Sequence, residues 1–255
     1  MSFFWRLGSW SSIMWLESSS YFQQRADRYL KWAAWLLVPL YLVGVAALYA
    51  AFIHAPTERT MGEVQRIFYF HVGAAWTAFL AFFVVFVAGI AYLWRRNLFW
   101  DELGAASAEV GVVFTTIVLT TGPIWARPIW NTWWPWGDPR VTTTLVLWLI
   151  YVAYFALRSS LPAGEKRARL AAVFGIIGFI DVPIVFLSVR WWRTIHPVVI
   201  TRSEVRLEPE MVQALLIAVA AFTILYFTLL LTRTAMRLQD AASEEIMQAV
   251  RERSD

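Results

Sequence analysis

Cysteine is absent from all 255 residues, and histidine occurs only three times. Without a thiol the chain forms no disulfide, offers no thiolate to a metal, makes no thioether to a cofactor and has no Cys–His nucleophile. Charge is also scarce. Asp, Glu, Lys and Arg make up 16% of the chain against 59% hydrophobic residues, and the formal net charge is +4. No basic stripe or nucleic-acid-binding motif is present, which excludes a nucleic-acid partner. The phosphate loop G-x-x-x-x-G-K-[ST], the zinc motif H-E-x-x-H and the nucleophile elbow G-x-S-x-G are all missing, so the chemistry that depends on them is excluded. Residues 1–31 lack the pattern of a secretory leader. The first long apolar run begins at Trp32, is too long for a leader and carries no small-residue cleavage site, so it reads as a retained span.

The sequence instead offers long apolar runs, and the mean hydropathy is +0.54. Six of them fall at 32–53, 67–94, 103–124, 141–157, 168–189 and 212–231. A helix needs about 20 apolar residues to cross the hydrocarbon. An isolated strand cannot satisfy its backbone there. The expected fold is therefore an all-α integral membrane protein with six transmembrane helices. Residues 1–31 form a cytoplasmic or interfacial N-terminal segment, 32–231 the membrane domain and 232–255 a cytoplasmic tail. Aromatics at Phe3, Phe4, Trp5, Trp10, Trp15, Tyr21 and Phe22 suit an interfacial helix. With the N-terminus inside, fourteen of the 22 basic residues lie on the inner side. The outer side holds Arg59, Arg66, Arg127, Arg140, Arg190, Arg193, Arg202 and Arg206. This bias favours both termini in the cytoplasm. The outer connections, about 54–66, 125–140 and 190–211, then carry His54 and His196 and most of the unusual aromatic residues, and His71 lies at the outer end of the second span.

The stretch WARPIWNTWWPW places Trp125, Trp130, Trp133, Trp134 and Trp136 within twelve residues. Membrane proteins do collect tryptophan at the water–lipid boundary, but usually one or two per span end. Such a shelf suits a large, flat, apolar ligand with polar edges, and Arg127, Asp138 and Arg140 are placed to serve those edges. An aromatic belt anchoring an interfacial loop is an equally good reading of composition alone, and Asp138 as an ion-pair partner of Arg140 is at least as good as ligand contact. Pro128, Pro135 and Pro139 argue against one continuous helix through the segment. His71, in RIFYFHVGAAW, and His196, in WWRTIHPVV, share the outer face with the tryptophans. Porphyrin iron accepts an imidazole on each side of the ring. From residue type alone, hydrogen-bonded interfacial histidines remain the commoner outcome. His54, beside a proline at a helix end, reads as structural.

Two acids fall within spans. Glu109 is one and a half turns into the third. Asp181 is near the middle of the fifth, two residues before Pro183, which is expected to kink the helix. A structural network, a proton route and a partner contact are all open for Asp181.

TGPIWARPIWNTWWPWGDPRVTTTLVLWLIYV resembles the tryptophan-rich "WWD" signature of heme-handling membrane proteins, and in particular the cytochrome c maturation protein C family. RIFYFHVGAAW and PIVFLSVRWWRTIHP resemble its two histidine segments, and the likeness covers roughly residues 30–231. The resemblance implies noncovalent heme b at the outer face of the cytoplasmic membrane. His71 and His196 would be the axial, iron-binding ligands, and Trp125, Arg127, Trp130, Trp133, Trp134, Trp136, Asp138 and Arg140 would form the cradle. It implies heme delivery to a periplasmic heme chaperone, an ABC-type ATPase and permease pair, and a small single-span accessory protein as partners, and no enzymatic activity. The chain departs from the signature at Gly137, between Trp136 and Asp138, where a bulge is expected to restore the direction of Asp138. At Gly73, where proline is common, a straighter second helix is expected. Asp181 stands where an amide is usual. Two other functions compete: the membrane subunit of an ABC-type heme transporter, which needs a cytoplasmic coupling helix longer than these inner loops supply, and a heme-linked redox protein, which needs a second cofactor site.

Overall fold

In the computed structural model, residues 4–196 and 207–254 are described. The protein is all-α, and no strand occurs among these residues beyond one isolated bridge, Glu58–Gly62. Seven α-helices make six spans: α1 (Phe4–Tyr49), α2 (Ile67–Arg95), α3 (Leu98–Trp130), α4 (Pro139–Ser159), α5 (Glu165–Gly178) with α6 (Asp181–Trp191), and α7 (Pro209–Ser254). All six are long and apolar enough to cross a membrane.

Local chemistry sets the helix ends. Helix α2 stops at Arg96, which takes a left-handed conformation (φ 53°). Asn97 then caps α3 by accepting from the Phe99 N–H at 2.8 Å. The α2–α3 turn is thus closed by two residues. Asp138 caps α4 the same way, with Pro139 in the first turn, where its missing N–H costs nothing. The fifth span is two helices. It breaks at Phe179 and Ile180, immediately before Asp181, and Pro183 lies in the first turn of α6. The expected kink is a full interruption. At the chain ends the helices outrun the apolar runs. The N-terminal segment continues α1 instead of forming a separate surface helix, and the tail continues α7. The side chains of Phe3, Phe4, Trp5, Trp10 and Trp15 lie outside the described residues.

Small residues bring the helices together. Ala74, Ala78 and Ala81 of α2 and Ala105, Ala106 and Ala108 of α3 are buried, so the two backbones approach closely. The Phe82 and Tyr151 rings stack at 3.7 Å in the core. Ser107 donates to the Ala81 carbonyl at 2.7 Å and hydrogen-bonds the Tyr226 hydroxyl at 2.9 Å, tying α2, α3 and α7. At Gly73 a Cβ would lie 2.6 Å from the Phe222 ring of α7. Glycine is there to admit that ring, which residue pattern alone does not reveal.

The end of the bundle bearing the α2–α3 and α4–α5 turns is held by ions. Arg158 grips Asp101 through both guanidinium nitrogens, the second at 3.0 Å. Glu102 receives Arg237 at 2.8 Å and Arg167 at 3.4 Å, and Glu109 receives Arg237 at 2.7 Å and Arg233. Glu109 is therefore a structural partner of α7. Asp101 and Arg158 are both buried, and Glu102, 3.7 Å from Arg158, is a second counter-charge for it.

Candidate functional site

At the opposite end, α2, α3, α4 and α6 enclose a recess of about 370 Å³. Ligand sites typically measure about 300–1,000 Å³. Its lining includes His71 and Phe79 from α2, Trp125 and Trp130 from α3, Trp133 and Trp134 from the 131–138 connection, Arg140 from α4, Phe186 and Arg190 from α6, and His196.

The tryptophan segment is not a loop throughout. Helix α3 continues past Pro123 and Pro128 to Trp130 and ends at Asn131, which is left-handed (φ 53°). Both prolines fall in the final turns, near lumenal space where a lost backbone hydrogen bond is tolerated. Trp125 and Trp130 thus stand on a rigid helix, and only Trp133, Trp134 and Trp136 belong to the connection. A run of aromatics leads from one histidine to the other. The His71 ring is 5.9 Å from Trp125, Trp125 is 6.5 Å from Trp130, and Trp130 is 5.6 Å from His196.

Both imidazoles are fixed through Nδ1. The Thr121 hydroxyl, one turn before Trp125, donates to the Ile117 carbonyl at 2.7 Å, so toward His71 Nδ1, at 2.8 Å, it must accept. The His71 proton is then on Nδ1. His196 Nδ1 lies 3.1 Å from Asp138 Oδ1. Burial would raise the Asp138 carboxyl, but hydrogen bonds from His196 and Thr194, with the Ile195 backbone N–H, hold it well below the usual carboxylate range. An ionised carboxylate only accepts, so His196 also carries its proton on Nδ1. Each Nε2 has no hydrogen-bond partner among the described residues. Metal-bound histidines are oriented by this same arrangement, with the far nitrogen donating to a carboxylate or other oxygen.

The structure does not bring in every residue the sequence nominated. Asp138 does not line the recess. It is 4% exposed and uses both oxygens, accepting from the Arg140 and Val141 N–H groups at the head of α4 and from Thr194, Ile195 and His196. Its partner is His196 and not the Arg140 guanidinium. Gly137 has no left-handed backbone and open space around it. A turn bond from the Asp138 N–H to the Pro135 carbonyl (2.8 Å) spans Gly137 and sets the direction of Asp138. Arg127 points out of the recess to Asn131, and Trp136 is exposed, its ring 5.8 Å from that of Trp134. His54 is exposed and hydrogen-bonds Gln213 at 2.9 Å, away from the recess.

Sequence reading missed Thr121, which is fifty positions from His71 and marked by no motif. Arg190, one of the outer arginines, lines the recess from α6. The guanidinium groups of Arg140 and Arg190 make no ion pair or hydrogen bond among the described residues. The buried indole N–H groups of Trp125 and Trp134 also lack partners. The recess thus presents unpaired cations and donors beside an apolar floor. No cluster of three or more His, Asp or Glu that could hold a metal occurs among the described residues, but a porphyrin iron needs only two protein nitrogens.

Fold and recess define a class: a multi-pass helical membrane protein whose tryptophan-walled recess carries two imidazoles whose Nε2 atoms no described residue engages. The family profile described as heme exporter protein C matches residues 12–249. The heme exporter protein C of Bradyrhizobium diazoefficiens is 35% identical over 228 residues, covering 88% of this chain and 85% of that one. The protein of the same name from Escherichia coli is 34% identical over 200 residues (78% and 80%), and that of Rhodobacter capsulatus 30% over 221 (86% and 90%). The chain belongs to the heme exporter protein C family, whose members handle heme in cytochrome c biogenesis and are not enzymes.

Proposed function

We propose that the chain binds heme b noncovalently in the tryptophan-lined recess, with the Nε2 atoms of His71 and His196 as the two axial ligands, and presents it to a periplasmic heme chaperone for cytochrome c maturation. The observation that carries this reading is the matched fixing of both imidazoles through Nδ1, by Thr121 on α3 and by Asp138 at the head of α4. Hydrogen-bonded structural histidines have no need to turn a free lone pair toward a shared apolar cavity. Two do so here, across a bridge of two tryptophan rings.

The remaining wall suits the rest of the ring. Trp125 and Trp130 give it flat apolar contact. Arg140 and Arg190 can pair with its carboxylates, and the unpartnered indole N–H groups of Trp125 and Trp134 can donate to them. Trp133, on the rim of the recess, and Trp136, in the same connection but outside the lining, are more than half exposed. Their place is contact with an acceptor protein, so presentation suits them better than deep storage. Arg127, directed away from the recess, has no assigned contact with heme.

In this reading the recess lies at the outer face of the cytoplasmic membrane with both termini inside, which the basic-residue bias supports. ATP hydrolysis comes from an ABC-type ATPase and permease pair, and a small single-span protein completes the assembly. The test is stoichiometric transfer. Purified protein loaded with heme is mixed with the apo-chaperone, with and without the ATPase pair. Loss of heme from this protein matched by gain on the chaperone supports presentation. ATP-dependent appearance of vesicle-enclosed heme outside, requiring only this chain as the new component, would favour the transporter reading.

A further inference from the structure

The interruption of the fifth span divides its packing in two. Below the break, α5 packs on α2, α3 and α4. Above it, α6 packs on α4, and α2 is not among its substantial neighbours. The change occurs where Phe179 stacks on Phe86 of α2, ring centroids 4.8 Å apart. That stack closes the seam between α2 and the fifth span. Above it, α2 turns Val72, Trp76 and Phe79 toward the recess, and α6 turns Phe186, Val189 and Arg190 toward it. On the α6 side of the gap Phe186 lines the recess and yet faces outward, 53% exposed. Side chains deep in a closed pocket would not be. The recess therefore opens sideways at membrane depth as well as upward past Trp133.

We propose that the gap between α2 and α6 is a lateral portal through which heme passes between the recess and the lipid leaflet on the tryptophan side. The proposal rests on the heme-binding reading above and concerns only the route. The frame has the polarity of such a cargo. Trp191 and Trp192, exposed at the end of α6, mark the water–lipid boundary. Arg190 stands beside them, exposed and without an ion pair among the described residues, at headgroup level. Phe186 lies one turn deeper, about 6 Å at 1.5 Å per residue. A flat amphiphile with an acidic edge and an apolar body therefore meets a cation at the surface and aromatic jambs below. The break that splays α6 from α2 also accounts for Pro183, tolerated in the first turn of α6.

The absence of cysteine makes the test direct. Phe186→Cys, in protein reconstituted into phosphatidylcholine vesicles, is alkylated with pyrenyl maleimide to plug the portal. A Ser160→Cys protein, labelled at the opposite end of the bundle, is the control. Loading is followed by the Soret band on mixing with vesicles that carry hemin. Release from protein loaded before alkylation is followed on mixing with empty vesicles. The plug should slow loading and release alike, each at least about tenfold, within the range over which association rates move among variants of one site. The band position of the preloaded protein should stay the same. Arg190→Gln, unlabelled, should slow loading several-fold at low salt by weakening attraction of the acidic edge. Unchanged rates in the plugged protein would overturn the portal, leaving the gap to a lipid chain and the water-side mouth to heme. Slower loading with faster release would also overturn it, since the label would then simply be damaging the binding wall. A Soret band missing from the unlabelled protein would remove the heme reading, and the portal's cargo with it.

Discussion

Asp138 joins the head of α4 to the segment bearing His196, and replacing it with asparagine separates the two tasks. Oδ1 accepts from the Arg140 N–H at 3.0 Å and the Val141 N–H at 3.2 Å and faces His196 Nδ1. Oδ2 accepts from Thr194 and, at 3.0 Å, from the Ile195 N–H. Asparagine still offers one oxygen and remains a good cap, so α4 should lose little, whereas alanine should cost about 1 kcal/mol for the cap alone. The second position becomes an NH2 group facing two donors, Thr194 and Ile195. A charged acceptor there contributes about 1.5–3 kcal/mol per hydrogen bond. Losing it frees the segment that aims His196. Removing such a supporting partner typically lowers metal affinity about 10–100-fold, or about 1.4–2.7 kcal/mol. The assay is the heme dissociation rate of the detergent-purified variant, read from the Soret band in excess apomyoglobin, beside its thermal stability. Asp138→Asn should melt close to the parent and lose heme ten- to a hundredfold faster. Equal retention in the two proteins would refute the assignment of Asp138 as the support of His196. The pH sign follows from the depressed carboxyl. Its contribution is fully present above the ordinary carboxylate pKa of about 4 and is lost only as pH falls through the lower folded value, so retention on this account should be flat between about pH 7 and 5.

Other expectations follow from the same geometry. His54→Ala should leave the heme spectrum as it is, because its ring meets Gln213 and not the recess; an effect as severe as that of His71→Ala, seen in spectra of the purified variants, would contradict the site. Thr121→Val removes the acceptor that fixes His71 and should weaken heme retention by about 1 kcal/mol, the net worth of one hydrogen bond, measured by the same dissociation assay. Asp101→Asn removes the closest counter-charge of the buried Arg158 and leaves Glu102, at 3.7 Å, and should destabilise the fold by about 1.5–3 kcal/mol in thermal melts, without moving the Soret band of the surviving folded protein. Cysteines placed singly at Thr132 and Ser160 should differ in intact cells: an impermeant maleimide should label the first and not the second, and the reverse would place the recess on the cytoplasmic side.

The six spans were legible because apolar length is a one-dimensional property, and the Asp181–Pro183 pair announced the break in the fifth. The helix ends were less so. Patterning stops α3 near residue 124, yet the helix continues to Trp130, with Pro123 and Pro128 in its final turns beside the recess, where freed backbone carbonyls are tolerated. His71, His196 and the tryptophans could be nominated from residue type and family likeness, but their mutual geometry could not. Thr121 meets His71 only through the pairing of α2 with α3. Asp138 reads as a cradle residue in sequence, and becomes the support of His196 only because the segment after α6 folds back on the head of α4. Arg127 and Trp136, inside the same motif, face elsewhere, since residues adjacent on a helix end or a turn point in different directions. The α2–α6 gap has no local signature at all. It arises because one helix of a broken span keeps its neighbours and the next leaves them.

The central claim is that one iron is held between His71 and His196, and electron paramagnetic resonance of the ferric purified protein tests it most directly. The parent should give a low-spin signal of the bis-imidazole type. His71→Ala and His196→Ala should each convert it to high spin, and added imidazole should return both to low spin by filling the vacated side of the ring. A high-spin parent, or a low-spin signal that survives either substitution without imidazole, would contradict the account.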